Sequence, residues 1–402
     1  MSAIPVSSKN SPAERRQCLA EELKRRNLDA ALISNPRHLC YLMGLSFESS
    51  ACNMSRGGKF PSFLGISSEG KGFLLVAASA LTNPFLEAQD LVVSDDFVNG
   101  PLYTYGDFEL QKRLLPYPYF VAEELGEVLE SVEAKNGFRL GTVGIEDWHL
   151  ADIYKSEVTR VFPSTKMVGI SELLLSMRKT KGSDEVEKIR EANDRLVFAF
   201  SLAKPNVRVG KTELELYNAV RDRFSEKYGS HSFVEGDLVS GERTSNVVGE
   251  ATNRQFREGD SVILDIQTNF DNYWSNSSRT LTAGKASPEK ERAIKALWGG
   301  IAKAEKLLLP GTKGKEIYNA ISDELKKAGY SQGLIHHAGH GVGLEAIEPP
   351  FFLPNSEERL EEGVVCTLEA GLYDSSATGL RVSNCYVIAK NGFERQPLFP
   401  LE

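Results

Sequence analysis

Three of the chain's six histidines lie between His336 and His340, in the stretch "LIHHAGHGVGLEAIEPP" (Leu334–Pro350). Gly339, Gly341 and Gly343 surround His340, and glycine lets backbone approach a ligand closely. A stretch of this kind holds a metal or moves a proton. Two carboxylates match it in character. Asp265 ends the apolar run Val262-Ile263-Leu264, and Glu369 follows Val364-Val365-Cys366-Thr367-Leu368. A carboxylate in such a place is paired, metal-bound, or at a strand end facing a cleft. Asp265, His340 and Glu369 therefore read either as an acid–base or metal cluster, or as three unrelated structural residues. The residue pattern alone leaves both open.

The elements that position these residues read as an α/β (α+β) chain. Ser11-Pro12-Ala13-Glu14 is a capping box with proline at the first helical position, and its helix should end near Asn27. "DAALIS" reads as a buried strand and "PRHLCYLMGL" as a short helix ending at Gly44. "GFLLVAAS", "DLVVS" and "TVGIED" are further strands, and such alternation indicates an α/β domain. Between them Ser46–Ser62 is polar and glycine-containing, a long loop of the functional kind. The polar run "MRKTKGSDE" reads as the boundary between a first domain, 1–176, and a second, 177–402. Ser183 is expected to cap the helix that follows, and Thr212-Glu213-Leu214-Glu215 opens another.

The second domain carries a weak internal repeat. "GKTELELYNAVRDRF" is similar to "GKEIYNAISDEL", and each follows a helix ending near a proline, Pro205 or Pro310. Two copies are too few for a solenoid. They read as two related half-domains facing each other, or as two amphipathic helices alike by chance. Strands follow each helical section: "DSVILDIQTNFD" and "SSRTLTAG", then "GVVCTLEAGLYD" and "LRVSNCYVIA". In the last, Arg381, Ser383 and Cys385 share one face.

The bulk properties narrow the classes. A chain of 402 residues suits two domains. Net charge is −8 with no basic run, so nucleic acid is not an expected partner. No apolar run approaches the roughly 20 residues that span a bilayer, so no membrane is expected. The N-terminal stretch has no apolar signal core. The five cysteines show no CxxC spacing and read as reduced thiols of a cytoplasmic protein.

"HHAGHGVGLEAIEPP", "LDIQTNFDNYWSNSSRTL", "TLEAGLY" and "LRVSNCYVI" resemble the core motifs of the creatinase / aminopeptidase P / prolidase family. "MRKTKGSDEVEKIREA" is similar to that family's domain-entry helix, and "LDAALISNPRHLCYLMGL" to the start of its N-terminal domain. The resemblance spans nearly the whole chain. It implies a creatinase-like N-terminal α/β domain, a pseudo-twofold pita-bread domain and a homodimer.

It also exposes departures. The family's metallopeptidases hold two divalent ions with Asp, Asp, His, Glu and Glu, in that order. The first Asp matches Asp265, the His matches His340 and the first Glu matches Glu369. The second Asp falls on Asn276 and the last Glu on Ser383, both neutral. Family histidines elsewhere fall on Val248 and Ile347. Creatinase, the family's metal-free precedent, lacks an Asp at 265 and keeps a catalytic His near 248.

These departures lead to the expectation of a metal-independent, creatinase-like hydrolase. It would cleave a C–N bond of a small polar molecule, with no cofactor beyond a weak single divalent ion on Asp265, His340 and Glu369. Glu369 and Asp265 would share the acid and base roles, and His340 would bind substrate or shuttle the proton. Asn276, Ser383, Arg381 and His336 would bind substrate, and His337 reads as structural. Arg381 suits either a substrate carboxylate or a structural ion pair. Arg56 and Lys59 are candidates to reach a partner subunit's cleft. The alternatives are a lyase or other non-peptidase chemistry, an inactive binding module, and an Xaa-Pro-type metallopeptidase with unusual ligands.

Overall fold

A computed structural model of the chain describes residues 11–44, 63–75, 97–98, 129–130, 133–134, 139–229, 232, 234–373 and 379–397. The loop expected over Ser46–Ser62, with Arg56 and Lys59, lies outside these residues, as does the strand expected at Asp90–Ser94. The chain divides into two compact units, Lys9–Arg178 and Lys179–Glu402. No described helix is long and apolar enough to cross a membrane.

In the first unit, Ser11 and Glu14 form the capping box that opens α1 (Pro12–Arg25). β1 (Ala30–Ile33) follows, and α2 (Pro36–Met43) stops at Gly44 in the left-handed conformation. β1 lies inside a six-stranded sheet with β2 (Phe63–Ser67), β3 (Gly72–Leu75), β4 (Phe97–Val98), β5 (Thr142–Ile145) and β6 (Lys166–Gly169), in the order β4-β3-β2-β1-β5-β6. β1–β5 and β5–β6 are parallel, while β1–β2 and β2–β3 are antiparallel. α3 (Asp152–Val161) crosses from β5 to β6, and α4 (Ser171–Arg178) ends the unit.

The second unit is two versions of one plan. In the first half, α5 (Ser183–Ala203) and α6 (Glu213–Tyr228) pack on the antiparallel sheet β7 (Val234–Ser240), β8 (Ser261–Phe270) and β9 (Tyr273–Thr282). In the second half, α7 (Pro288–Glu305) and α8 (Gly314–Lys327) lie with a sheet ordered β11-β10-β12-β13-β14. Its strands are β10 (His340–Gly341), β11 (Glu348–Phe351), β12 (Val365–Leu372), β13 (Leu380–Ala389) and β14 (Gly392–Arg395). The repeated segments are α6 and α8, each the second helix of its pair, with Val220 and Ile321 buried at the matching position. The N-cap of α5 is Gly182 rather than Ser183. Glu185 reaches back to accept from the Gly182 N–H at 2.9 Å, and Ser183 becomes the first helical residue.

The halves meet along β9 and β13. Side chains make the seam: Ser383 Oγ accepts from Ser278 N at 2.6 Å, and Thr280 Oγ1 both donates to Arg381 O and accepts from Arg381 N. Arg279 lies buried across it. Its guanidinium donates to Ser278 O, Ser383 O and, at 3.0 Å, Asn384 Oδ1. It also stacks near Phe200 and Trp298, one ring from each half. Burial lowers its pKa to about 10, so the charge is retained at a desolvation cost. Removing the guanidinium orphans three acceptors, at ~1–3 kcal/mol for a buried group left without a partner. Arg279→Met should therefore cost about 2–4 kcal/mol in chemical denaturation. A change within ~0.5 kcal/mol would show that the seam does not depend on it.

Candidate active site

Strand register brings the predicted residues to the seam. Asp265 on β8 stands opposite Asp237 on β7 and Ser278 on β9. Glu369 on β12 stands opposite Ser383, and Gly371 opposite Arg381, on β13. Gly236 permits this arrangement. It sits at φ +129°, and a Cβ there would fall 1.8 Å from the Asp265 carbonyl oxygen.

Arg381 occupies the centre. Its Nη1 donates to Asp265 Oδ2 at 2.5 Å and to Asp237 Oδ2 at 3.3 Å, and its Nε donates to Tyr373 Oη at 2.7 Å. Of the two readings for this residue, the structure thus places it in an ion pair. Asn276 Nδ2 donates to the other oxygen of Asp265 at 2.9 Å. Burial would raise the Asp265 pKa, but Arg381, Asn276 and Ser278 together hold it below the ordinary value. Asp237 goes the other way: desolvation, reinforced by the neighbouring Asp265, raises it against the hydrogen bond from Gly249 N.

The second cluster surrounds Glu369. His336 Nδ1 lies 3.4 Å from Glu369 Oε1, and one ligand atom from each of His336, His337 and Glu369 falls within 4.8 Å of the others. Desolvation lowers His336 to about 4 and His337 to about 3, while desolvation plus the Asp265 charge raises Glu369 to about 8. At neutral pH the imidazoles are uncharged and Glu369 is largely protonated, so the 3.4 Å approach is not an ion pair. Tyr373 Oη lies 3.2 Å from His336 Nε2 and joins this cluster to Arg381.

His340 is buried, with Nδ1 2.9 Å from Gly341 O and its ring edge-on to His337 at 5.3 Å. Among the described residues it makes no hydrogen bond to Asp265 or Glu369, so the expected trio is split between two clusters. Glu348 pairs with buried Lys181 at 2.7 Å. Burial pushes the Cys385 thiol up to about 12, which leaves it a poor nucleophile. Val248 and Ile347 stand 67% and 53% exposed, so neither fills the place of a buried ligand. Two site residues, Asp237 and Tyr373, were not anticipated. The signals were available: Asp237 follows the glycine that β7 needs, and Tyr373 closes "TLEAGLY".

The five family positions do not fit two dications. Both oxygens of Asp265 are engaged, by Arg381 and by Asn276. Asn276 presents an amide donor toward it, and Ser383 Oγ is held by Ser278 N. Two dications at such sites need several anionic donors.

The family model described as metallopeptidase family M24 matches residues 187–390, and the creatinase/prolidase N-terminal domain matches 15–180. The chain belongs to the M24 metallopeptidase family. It is 26% identical over 381 residues to an Xaa-Pro dipeptidase of Lactobacillus helveticus, covering 94% of each chain. It is 26% identical over 289 residues to an Xaa-Pro dipeptidase of Pyrococcus furiosus, covering 72% of this chain and 81% of that one. The fold matches the prolidase from Pyrococcus horikoshii OT3 with TM-score 0.76 at 22% identity, over 97% of this chain and 99% of that one. It matches an Xaa-Pro dipeptidase from Bacillus anthracis with TM-score 0.78 at 20% identity, over the same shares. The pita-bread expectation holds.

The functional expectation does not. A metal-independent, non-peptidase hydrolase without a cofactor is overturned by membership of a metallopeptidase family and by relatives named Xaa-Pro dipeptidases. The physical reason lies in the ligand count. Losing carboxylates at Asn276 and Ser383 does not remove every grouping that could hold a metal, since His336, His337 and Glu369 each offer a donor atom within 4.8 Å of the others.

The shifts give a pH prediction for protein stripped of divalent ions. The folded state keeps the Glu369 proton up to about 8, whereas the unfolded chain loses it near 4.5. Stability from this group therefore falls as pH rises through that interval, by up to ~1.4 kcal/mol per pH unit. His336 and His337 stay neutral well below 6.5, so stability also falls on acidification below that value. Melting temperature should decline from pH 6.5 to 8, and Glu369→Gln should remove the decline. Equal declines in both proteins would make Glu369 an ordinary carboxyl.

Proposed function

We propose that the chain is an Xaa-Pro-type peptidase of short peptides that works with unusual ligands. The carrying observation is the placement of Glu369, a buried carboxyl on β12 with Oε1 3.4 Å from His336 Nδ1, grouped with His337 in the cluster that Tyr373 borders. The substrate class is supported by the relatives' names and by the end-to-end match to one of them.

The chain's own residues divide the work. Glu369 in its ionised form takes a proton from the water that attacks the scissile carbonyl carbon. It then returns the proton to the leaving nitrogen as the C–N bond breaks. Tyr373, held by Arg381, donates toward the oxygen that gains charge, or toward His336 when the cleft is empty. Arg381 commits Nη1 to Asp265 and Asp237 and positions Tyr373 through Nε, while Nη2, buried without a partner, is left to meet a substrate oxygen. A cavity of about 420 Å³ shares Tyr373 and is walled by Tyr330, Ile335, Leu372 and Leu380, which suits an apolar side chain of a dipeptide.

The test is a dipeptide panel with divalent ions supplied, comparing Ala-Pro and Leu-Pro with Ala-Ala. Release of proline should exceed cleavage of Ala-Ala. Glu369→Gln should lower kcat by about 10²–10⁴-fold while the protein stays folded. No hydrolysis of any peptide, with zinc, cobalt or manganese present, would overturn the reading.

A further inference from the structure

We propose that His336, His337 and Glu369 hold one divalent transition-metal ion, beside the five family positions instead of on them. The first support is geometry. Metal bonds of about 2.0–2.1 Å place tetrahedral donors roughly 3.4 Å apart. His336 Nδ1 and Glu369 Oε1 stand 3.4 Å apart, and the His337 donor lies within 4.8 Å of both.

The second support is unmet bonding. Glu369 is only 4% exposed, and its carboxyl accepts no hydrogen bond among the described residues. His337 Nδ1 is buried without a hydrogen-bond partner. A buried ring nitrogen without a partner is unusual, since such atoms normally find one.

Charge is the third. Asp237, Asp265 and Glu369 are three carboxyl groups facing a single guanidinium, Arg381. Fully ionised, that group carries a net charge of −2, and one dication neutralises it. Two dications would overshoot.

The fourth support is the surrounding shell. A metal-bound imidazole donates its other N–H to an oxygen that fixes its tautomer. With the ion on His336 Nδ1, the Nε2–H points at Tyr373 Oη, 3.2 Å away, and Arg381 Nε fixes that oxygen from 2.7 Å. The ion replaces the proton that Nδ1 otherwise shares with His337 O. Two imidazoles and one carboxylate suit zinc, cobalt or iron, and leave a fourth position open; magnesium and calcium prefer oxygen donors.

Ion binding does not rest on the peptidase reading; it names the ligands that reading requires. The test is cobalt(II) titrated into chelator-stripped, full-length protein, followed by equilibrium dialysis and visible absorption. One ion per chain should bind, with the bands of a low-coordinate nitrogen–oxygen site. His337→Ala should weaken binding by at least about 100-fold. His337→Gln and His336→Gln provide second tests, each with its melting temperature taken in chelator to confirm folding. Asp265→Asn should still bind one ion. Two ions per chain, no bound ion, or full affinity in a folded His337 variant would overturn the inference. One bound ion without dipeptide cleavage would sink the peptidase reading alone, and cleavage by protein that binds no ion would sink this inference alone.

Discussion

The contact between Arg381 and Asp265 governs the site. Both groups are desolvated; Arg381 helps hold the Asp265 carboxyl below its ordinary value, and Asp265 in turn raises Arg381. Breaking such a buried pair by removing one partner costs about 3–5 kcal/mol, because the survivor is left uncompensated. The pair spans β8 and β13, so it also joins the halves that Ser278, Arg279 and Thr280 stitch along the same seam. With Arg381 lying against Asp265 on one oxygen and Asn276 on the other, both carboxylate oxygens already accept a hydrogen bond. Asn276 and Ser383 complete that arrangement, Asn276 by donating to Asp265 and Ser383 by accepting from Ser278 N.

The consequence falls on Glu369. It sits on the adjacent strand, buried, with the nearby cation already committed to aspartates. Its carboxyl therefore rises toward neutral pH, while the imidazoles beside it are pushed down by the same desolvation. One cluster is a closed ion pair, and the other is an open set of donors. Tyr373 couples them, accepting from Arg381 and facing His336. The chain keeps the fold of its family and groups His336 and His337 with Glu369.

Much of this was legible in the sequence, and the misses have physical causes. Asp265 and Glu369 stood out because each terminates or follows an apolar run. The paired half-domains showed in the Tyr-Asn-Ala repeat, since both copies pack the same helical face. Arg381 was ambiguous because one strand cannot reveal what lies across a seam between two sheets. Asp237 escaped because its short strand carries no apolar alternation. The proximity of His337 to Glu369 is invisible in the sequence, where the two lie 32 residues apart.

The most direct measurement is anomalous diffraction from a crystal of zinc-loaded protein. The account predicts one peak, about 2.0–2.2 Å from donor atoms of His336, His337 and Glu369, with Arg381 still on Asp265. Two peaks bound by Asp265 and His340, with Arg381 turned away from Asp265, would contradict it.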